Sequence, residues 1–357
     1  MSKAAYDYSY MRPDKTREVL HITHIKAGLA ELERSLFSEE LRQSPQPGLL
    51  ALRIACDVFE GLCAGPFPIV YSMPRVKECC LHVGAAMDLV RYVKAIKDKS
   101  RLKVIKKHLA LLGAGGFGVA ATYTHQQSHA SAIRMRLEQA GIAPLPPEIL
   151  KDASRKTIEL MIGLAALNTF DEVTIEDPEE SNAKDPNPDI IISWRNARFG
   201  IACKSINSTN KSNLRERISE GLIQIDRSIE CGKVDNRRGV VLLDISALLD
   251  HDALYVPSED SVWFAKDLTE ILWEAINRAL AKVFGSGPSK VKGALGDLFE
   301  NHQAAPCVLI YAHTLMIAAA GDSICPRYMK LMRLLFAGDH SKVKGFAEKL
   351  NTALHCQ

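Results

Sequence analysis

Hydrophobic and polar positions fall into two textures that meet near residue 145. Before that point the apolar residues recur at helical spacing, as in Leu20, Ile22, Ile25, Leu29, Leu32 and Leu36. The same spacing predicts helices over 49–64, 76–99 and 119–140, with 100–112 extending or restarting the third. Proline- and glycine-bearing breaks at 44–48, 65–68 and 113–118 separate them. Residues 141–147, Gly-Ile-Ala-Pro-Leu-Pro-Pro, form the strongest linker signal in the chain. A helical domain over 1–145 and a second domain over 146–357 are therefore expected.

Beyond the linker, short runs alternate with longer helical patterns. A helix is predicted over 147–167 and a short alternating strand over 172–176. Two apolar runs, 190–194 and 199–203, are joined by a polar turn at 195–198, which is a hairpin signal. Residues 213–230 carry Leu214, Ile218, Leu222, Ile225 and Ile229 on one stripe. A buried-strand run follows at 239–245, then a helix at 267–284 and another strand at 306–314. Helices are expected at 328–336 and 342–354. Helix, three strands, helix, strand, helix and strand in that order describe an α/β domain with a mixed sheet.

Composition adds bounds. The chain has 357 residues, 47% of them apolar and 24% charged, and a formal net charge of +3. These are values for a globular protein large enough for two cores. Mild basicity permits a nucleic-acid partner without requiring one. Nine cysteines, an odd number with no CxxC pair, point to reduced thiols and a cytoplasmic setting. No secretory h-region and no run of about 18 apolar residues is visible, so no membrane association is expected.

The hairpin carries the chemistry. Pro188-Asp189 opens its first strand, and Ala202-Cys203-Lys204 closes its second. Opposite ends of antiparallel neighbours meet at one edge, which brings Asp189 beside Lys204. A carboxylate and a lysine so placed can hold a divalent metal and orient a water for phosphodiester cleavage. The pattern resembles the PD-(D/E)xK nuclease superfamily, with Ala202 where the family has its strand acid. That resemblance implies a restriction-endonuclease-like core with a central mixed sheet flanked by helices, behind the helical N-terminal domain. It further implies a Mg²⁺- (or Mn²⁺-) dependent endonuclease acting on double-stranded DNA, in restriction or antiphage defence. Some members replace the missing acid with a glutamate from the following helix, where Glu216 and Glu220 lie one turn apart; Glu220 shares its face with Gln224. Family members also place an acid on the helix before the first strand, here Glu159, and give the metal a backbone oxygen at the position of Cys203. Asp189, Glu159, Glu220 and the Cys203 carbonyl thus form the implied metal set, with Lys204 orienting the attacking water.

A basic run, Arg91, Lys94, Lys97, Lys99, Arg101, Lys103, Lys106 and Lys107, contains one acid, Asp98. It reads either as a solvated helix face or as a phosphate-tracking surface. On a continuous helix, residues 91, 94, 97 and 101 would share a face. Residues 113–118 fit G-x-G-x-x-G, but a helical pattern precedes them and no βαβ pattern follows, so a glycine-rich helix junction is expected. His125 and His129 have zinc-protease spacing, but Gln126 stands where the general base would be. The rival to a nuclease is a catalytically decayed module of the same fold that binds nucleic acid or scaffolds a partner. A homodimer or a partner subunit is compatible with either.

Overall fold

A computed structural model describes residues 88–105, 147–176, 188–206, 208–255, 263–264, 267–285, 288–320 and 323–355, with isolated positions 27, 30 and 57. The expected helices before residue 88, the glycine-rich stretch, the two histidines at 125 and 129, and Lys106 and Lys107 lie outside the described residues.

Helix α1 spans 88–95 and is followed by a 3-10 turn, Lys99–Ile105. Then come α2 (Pro147–Thr169), β1 (Glu172–Ile175), β2 (Ile190–Trp194), β3 (Ala197–Ser205), α3 (Lys211–Glu230) and β4 (Gly239–Asp244). A 3-10 turn, Ser246–Leu248, leads to α4 (His251–Tyr255), β5 (Trp263–Phe264), α5 (Leu268–Phe284) and α6 (Pro288–Phe299). The chain continues through β6 (Cys307–Ala320), β7 (Ser323–Phe336) and α7 (Ser341–His355).

The strands form one seven-stranded mixed sheet in the order β1-β2-β3-β4-β6-β5, with β7 on the free side of β6. β1, β2 and β3 are antiparallel, β3, β4 and β6 are parallel, and β7 runs antiparallel to β6 over its whole length. β4 reads Gly-Val-Val-Leu-Leu-Asp because it is covered on both sides, as a central parallel strand must be. Val240 and Leu242 enter one apolar cluster, and Val241 and Leu243 enter the other. The first cluster also takes α1, α2 and α7, and the second takes α3, α5 and α6. The sheet therefore lies between two helical layers, each hiding a stripe that would otherwise meet water at about 1.5–3 kcal/mol per large side chain.

Residues 88–105, expected on the far side of the linker, contribute Leu89, Tyr92, Val93, Ile96, Leu102 and Ile105 to the same cluster as α2 and β3. Helix α1 stops before Ile96 and a 3-10 turn begins at Lys99. The continuous basic helix face needed to align 91, 94, 97 and 101 is therefore not formed. Asp98, accepting from the Ser100 N–H at 2.9 Å, and Arg101 N–H, donating to the Asp98 carbonyl at 3.1 Å, close the break.

The hairpin turn is tighter than expected. Only Arg195 and Asn196 lie in it, with φ of 52° and 58°, while Ala197 and Arg198 already pair with Trp194 and Ser193. Two successive positive φ values match the twist of the flanking strands, which is why such turns close hairpins.

Residues 328–336 form part of β7 and not a helix. Leu, Met, Lys and Arg favour helices in isolation. Here the ladder to β6 decides, placing Met329, Leu331 and Leu335 in one cluster and Tyr328, Met332, Leu334 and Phe336 against the other. Apolar residues on both faces erase the alternation that would betray a strand.

Candidate active site

Asp189 sits just before β2 and is 4% exposed. Its backbone carbonyl accepts from Glu176 N–H at the end of β1, at 2.8 Å. Its Oδ2 accepts from the Cys203 N–H in β3, at 2.5 Å. The carboxylate thus extends the β2–β3 ladder one step past Ile190, whose register partner is Ile201. In a strand the N–H and C=O of one residue point to the same edge, so the Cys203 carbonyl faces the side on which Asp189 lies. Its thiol is buried in the apolar cluster of α2 and α7.

Ala202 and Lys204 alternate with Cys203 and face the opposite layer, where α3 packs. Ala202 is fully buried. A Cβ added to Gly221 of α3 would stand 2.9 Å from Val241 Cγ2 and 3.5 Å from Ala202 Cβ. Glycine at 221 thus lets the helix approach the sheet at the position where the superfamily pattern has its acid, and alanine fits that approach. One turn along α3, Gln224 Oε1 accepts from Lys204 Nζ at 2.9 Å. The lysine is therefore oriented by a neutral amide.

The two expected α3 acids lie at the surface, and Glu159 is buried in the other layer. Glu220 is 44% exposed at its side chain and bound to Arg217 at 2.8 Å, and Glu216 is exposed. Glu159 is 4% exposed on α2, which packs on the opposite face of the sheet from α3. Among the described residues no group of three or more His, Cys, Asp and Glu side chains is placed to hold a metal ion. The oxygen donors that do share an edge are the Asp189 carboxylate and the Cys203 carbonyl, both suited to Mg²⁺.

Two of the basic residues face inward. Arg91 Nη2 donates to Asp88 Oδ1 at 2.5 Å. Arg101 Nη2 donates to the carbonyls of Phe170 and Asp171, at 2.5 and 2.9 Å, just past the end of α2. Lys94, Lys97 and Lys103 are exposed; the side chain of Lys99 is outside the description.

Sequence reasoning missed two polar networks. Lys330 Nζ, on β7, donates to Asp88 Oδ2 and to Tyr92 Oη, each at 2.6 Å, and Tyr92 Oη donates to the Leu354 carbonyl at 2.9 Å. Burial pushes the Tyr92 hydroxyl well above its ordinary pKa, with the Asp88 charge adding to it. At the carboxyl end of β4, Ser246 Oγ donates to Asp244 Oδ1 at 2.5 Å and accepts the backbone N–H of His313 at 3.0 Å. His313 Nδ1 lies 2.8 Å from that oxygen and must carry the proton, because the hydroxyl hydrogen is already committed. Burial holds His313 below the usual imidazole range, so the ring is neutral near pH 7. The partners in both networks are distant in sequence, and the misread helix at 328–336 concealed Lys330.

No protein-family model, curated protein or solved structure matches the chain.

Proposed function

We propose that the protein is a Mg²⁺-dependent nuclease of the PD-(D/E)xK type that cleaves DNA. The observation that carries this reading is the pairing of Asp189 with the Cys203 backbone immediately before Lys204. Support also comes from the element order α2, β1, β2, β3, α3, β4, which agrees with the superfamily core. In this reading Asp189 and the Cys203 carbonyl would hold the metal, both being the oxygen donors that Mg²⁺ prefers. The bound ion supplies charge neutralisation at the leaving oxygen and makes its water more acidic. Lys204, steadied by Gln224, orients the attacking water. Glu159 and Glu220 remain the acids to test as further ligands.

The second reading, a decayed site on a nucleic-acid-binding or scaffolding module, is favoured by one observation. Ala202 is fully buried where α3 comes close at Gly221, so an acid at that position would be buried there. Incubating wild-type protein and Asp189→Ala with plasmid and linear DNA, in Mg²⁺, Mn²⁺ or EDTA, decides between them. The nuclease reading requires metal-dependent cleavage that the substitution abolishes. Salt-sensitive binding without cleavage, equal in both proteins, establishes the module instead.

A further inference from the structure

Strand β7 carries two buried cations, and among the described residues only one has a counter-charge. Lys330 has Asp88. Arg327 is 5% exposed, and its Nε and Nη1 are buried with no hydrogen-bond partner. Among the described residues it makes no ion pair. A guanidinium keeps its proton at any ordinary pH, so it cannot escape this cost by neutralising as a lysine can. Buried charges in folded proteins are paired or bound to an ion.

Polar groups and strand ends gather around it. Arg327 pairs with Met316 across the ladder, and Met329 pairs with Thr314 on the same face. Thr314 Oγ1 is in turn hydrogen-bonded to His251 Nδ1 at 2.9 Å, which ties α4 to this face. On the other edge of β6, β4 ends at Asp244 opposite Tyr311, and β5 begins at Trp263 opposite Ala318. Among the described residues no strand pairs with 312–317 of β6 on that edge, where Ser246 and His251 reach His313 and Thr314 instead. Crevices outside the carboxyl ends of parallel strands are where open α/β sheets take their ligands.

We propose that Arg327 is the charged anchor of a buried anion site beyond the carboxyl end of β4, taking an oxyanion, either a phosphate group or a carboxylate. Its planar fork suits both. The site is separate from the hairpin. The register row through Lys204 runs by Leu243 and Ile310 to Arg333, which puts Arg327 about 20 Å farther along β7. Its fate is therefore independent of whether the hairpin cleaves DNA.

The test is thermal unfolding of wild type, Arg327→Met and Arg327→Lys at constant ionic strength, with chloride exchanged for inorganic phosphate or acetate, alongside calorimetric titration of the same anions. In chloride, Arg327→Met should melt at or above wild type, because an apolar side chain replaces an uncompensated charge. Phosphate, acetate or both should raise the wild-type midpoint and leave that of Arg327→Met unmoved, and the more effective anion identifies the source. Arg327→Lys keeps the charge without the fork and should bind about tenfold more weakly, a difference of about 1.4 kcal/mol. The proposal is overturned if neither anion moves the wild type. It is equally overturned if both anions shift wild type and Arg327→Met alike, or if Arg327→Met melts lower in chloride.

Discussion

The molecule contains two aspartate–lysine constellations, and they are built in opposite ways. At one, Asp88 and Lys330 meet directly at 2.6 Å, with side chains 5% and 8% exposed, and Tyr92 Oη accepts a further hydrogen bond from the lysine. At the other, Asp189 is held by a backbone N–H and Lys204 by a neutral glutamine amide. Direct pairing uses up both charges and fixes α1 to β7. Neutral partners fix position without cancelling charge, which in the proposed nuclease reading leaves Asp189 for a metal ion and Lys204 for a water. Residue type alone does not separate the two arrangements; the partner does.

Breaking the buried pair should give the largest effect. Lys330→Met leaves Asp88 with the partly buried Arg91 alone and is expected to cost about 3–5 kcal/mol in urea unfolding. Asp88→Asn combined with it should recover much of that loss, and failure to recover would place the cost in packing instead. Next is Ala202→Glu, which restores the superfamily acid in sequence. Because Ala202 is sealed against α3, this change should destabilise by about 3 kcal/mol or more without raising cleavage. A gain in metal-dependent activity would mean that the helix yields. Lys204→Met is predicted to change stability by less than about 1 kcal/mol, since it removes one hydrogen bond to a neutral group. It should nevertheless abolish metal-dependent cleavage, which a stopped-time plasmid assay would read.

A further effect is pH-linked and shows only on acidification. His355 is depressed from 6.5 to about 3, first by burial and then by the Lys330 charge, and its Nε2 is buried without a partner. The unfolded chain therefore binds a proton that the folded chain refuses. Stability should be fully present above pH 6.5 and decline as the pH falls from there toward 3. His355→Phe should flatten that slope in thermal melts taken across the range. An unchanged slope would assign the acid sensitivity to other groups.

The hairpin could be read from the sequence because both of its apolar runs are short and bounded by polar turn residues. Helices α3, α5 and α7 show their stripe because each has one wet face. β7 could not be read, since it is apolar toward both layers and rich in helix formers. The site was half legible. Asp189, Cys203 and Lys204 follow from strand pairing alone, whereas the role of Gln224 depends on how closely α3 approaches, which Gly221 decides. Glu220 looked equivalent on its helix, but Arg217 beside it holds it at the surface. The α1 break at 96–98 was hidden because the basic and apolar residues on either side keep helical spacing through it.

β7 has one more consequence. Among the described residues it pairs with β6 alone, so a strand of 14 residues has no strand partner there along its outer row of backbone groups. Such a row invites recruitment of another chain into a growing stack. Pro326 interrupts it, because proline has no N–H to offer and is tolerated only on a margin of this kind. A Pro326→Val protein would complete the row, and greater self-association on concentration than wild type would be the sign that the missing N–H had been limiting it.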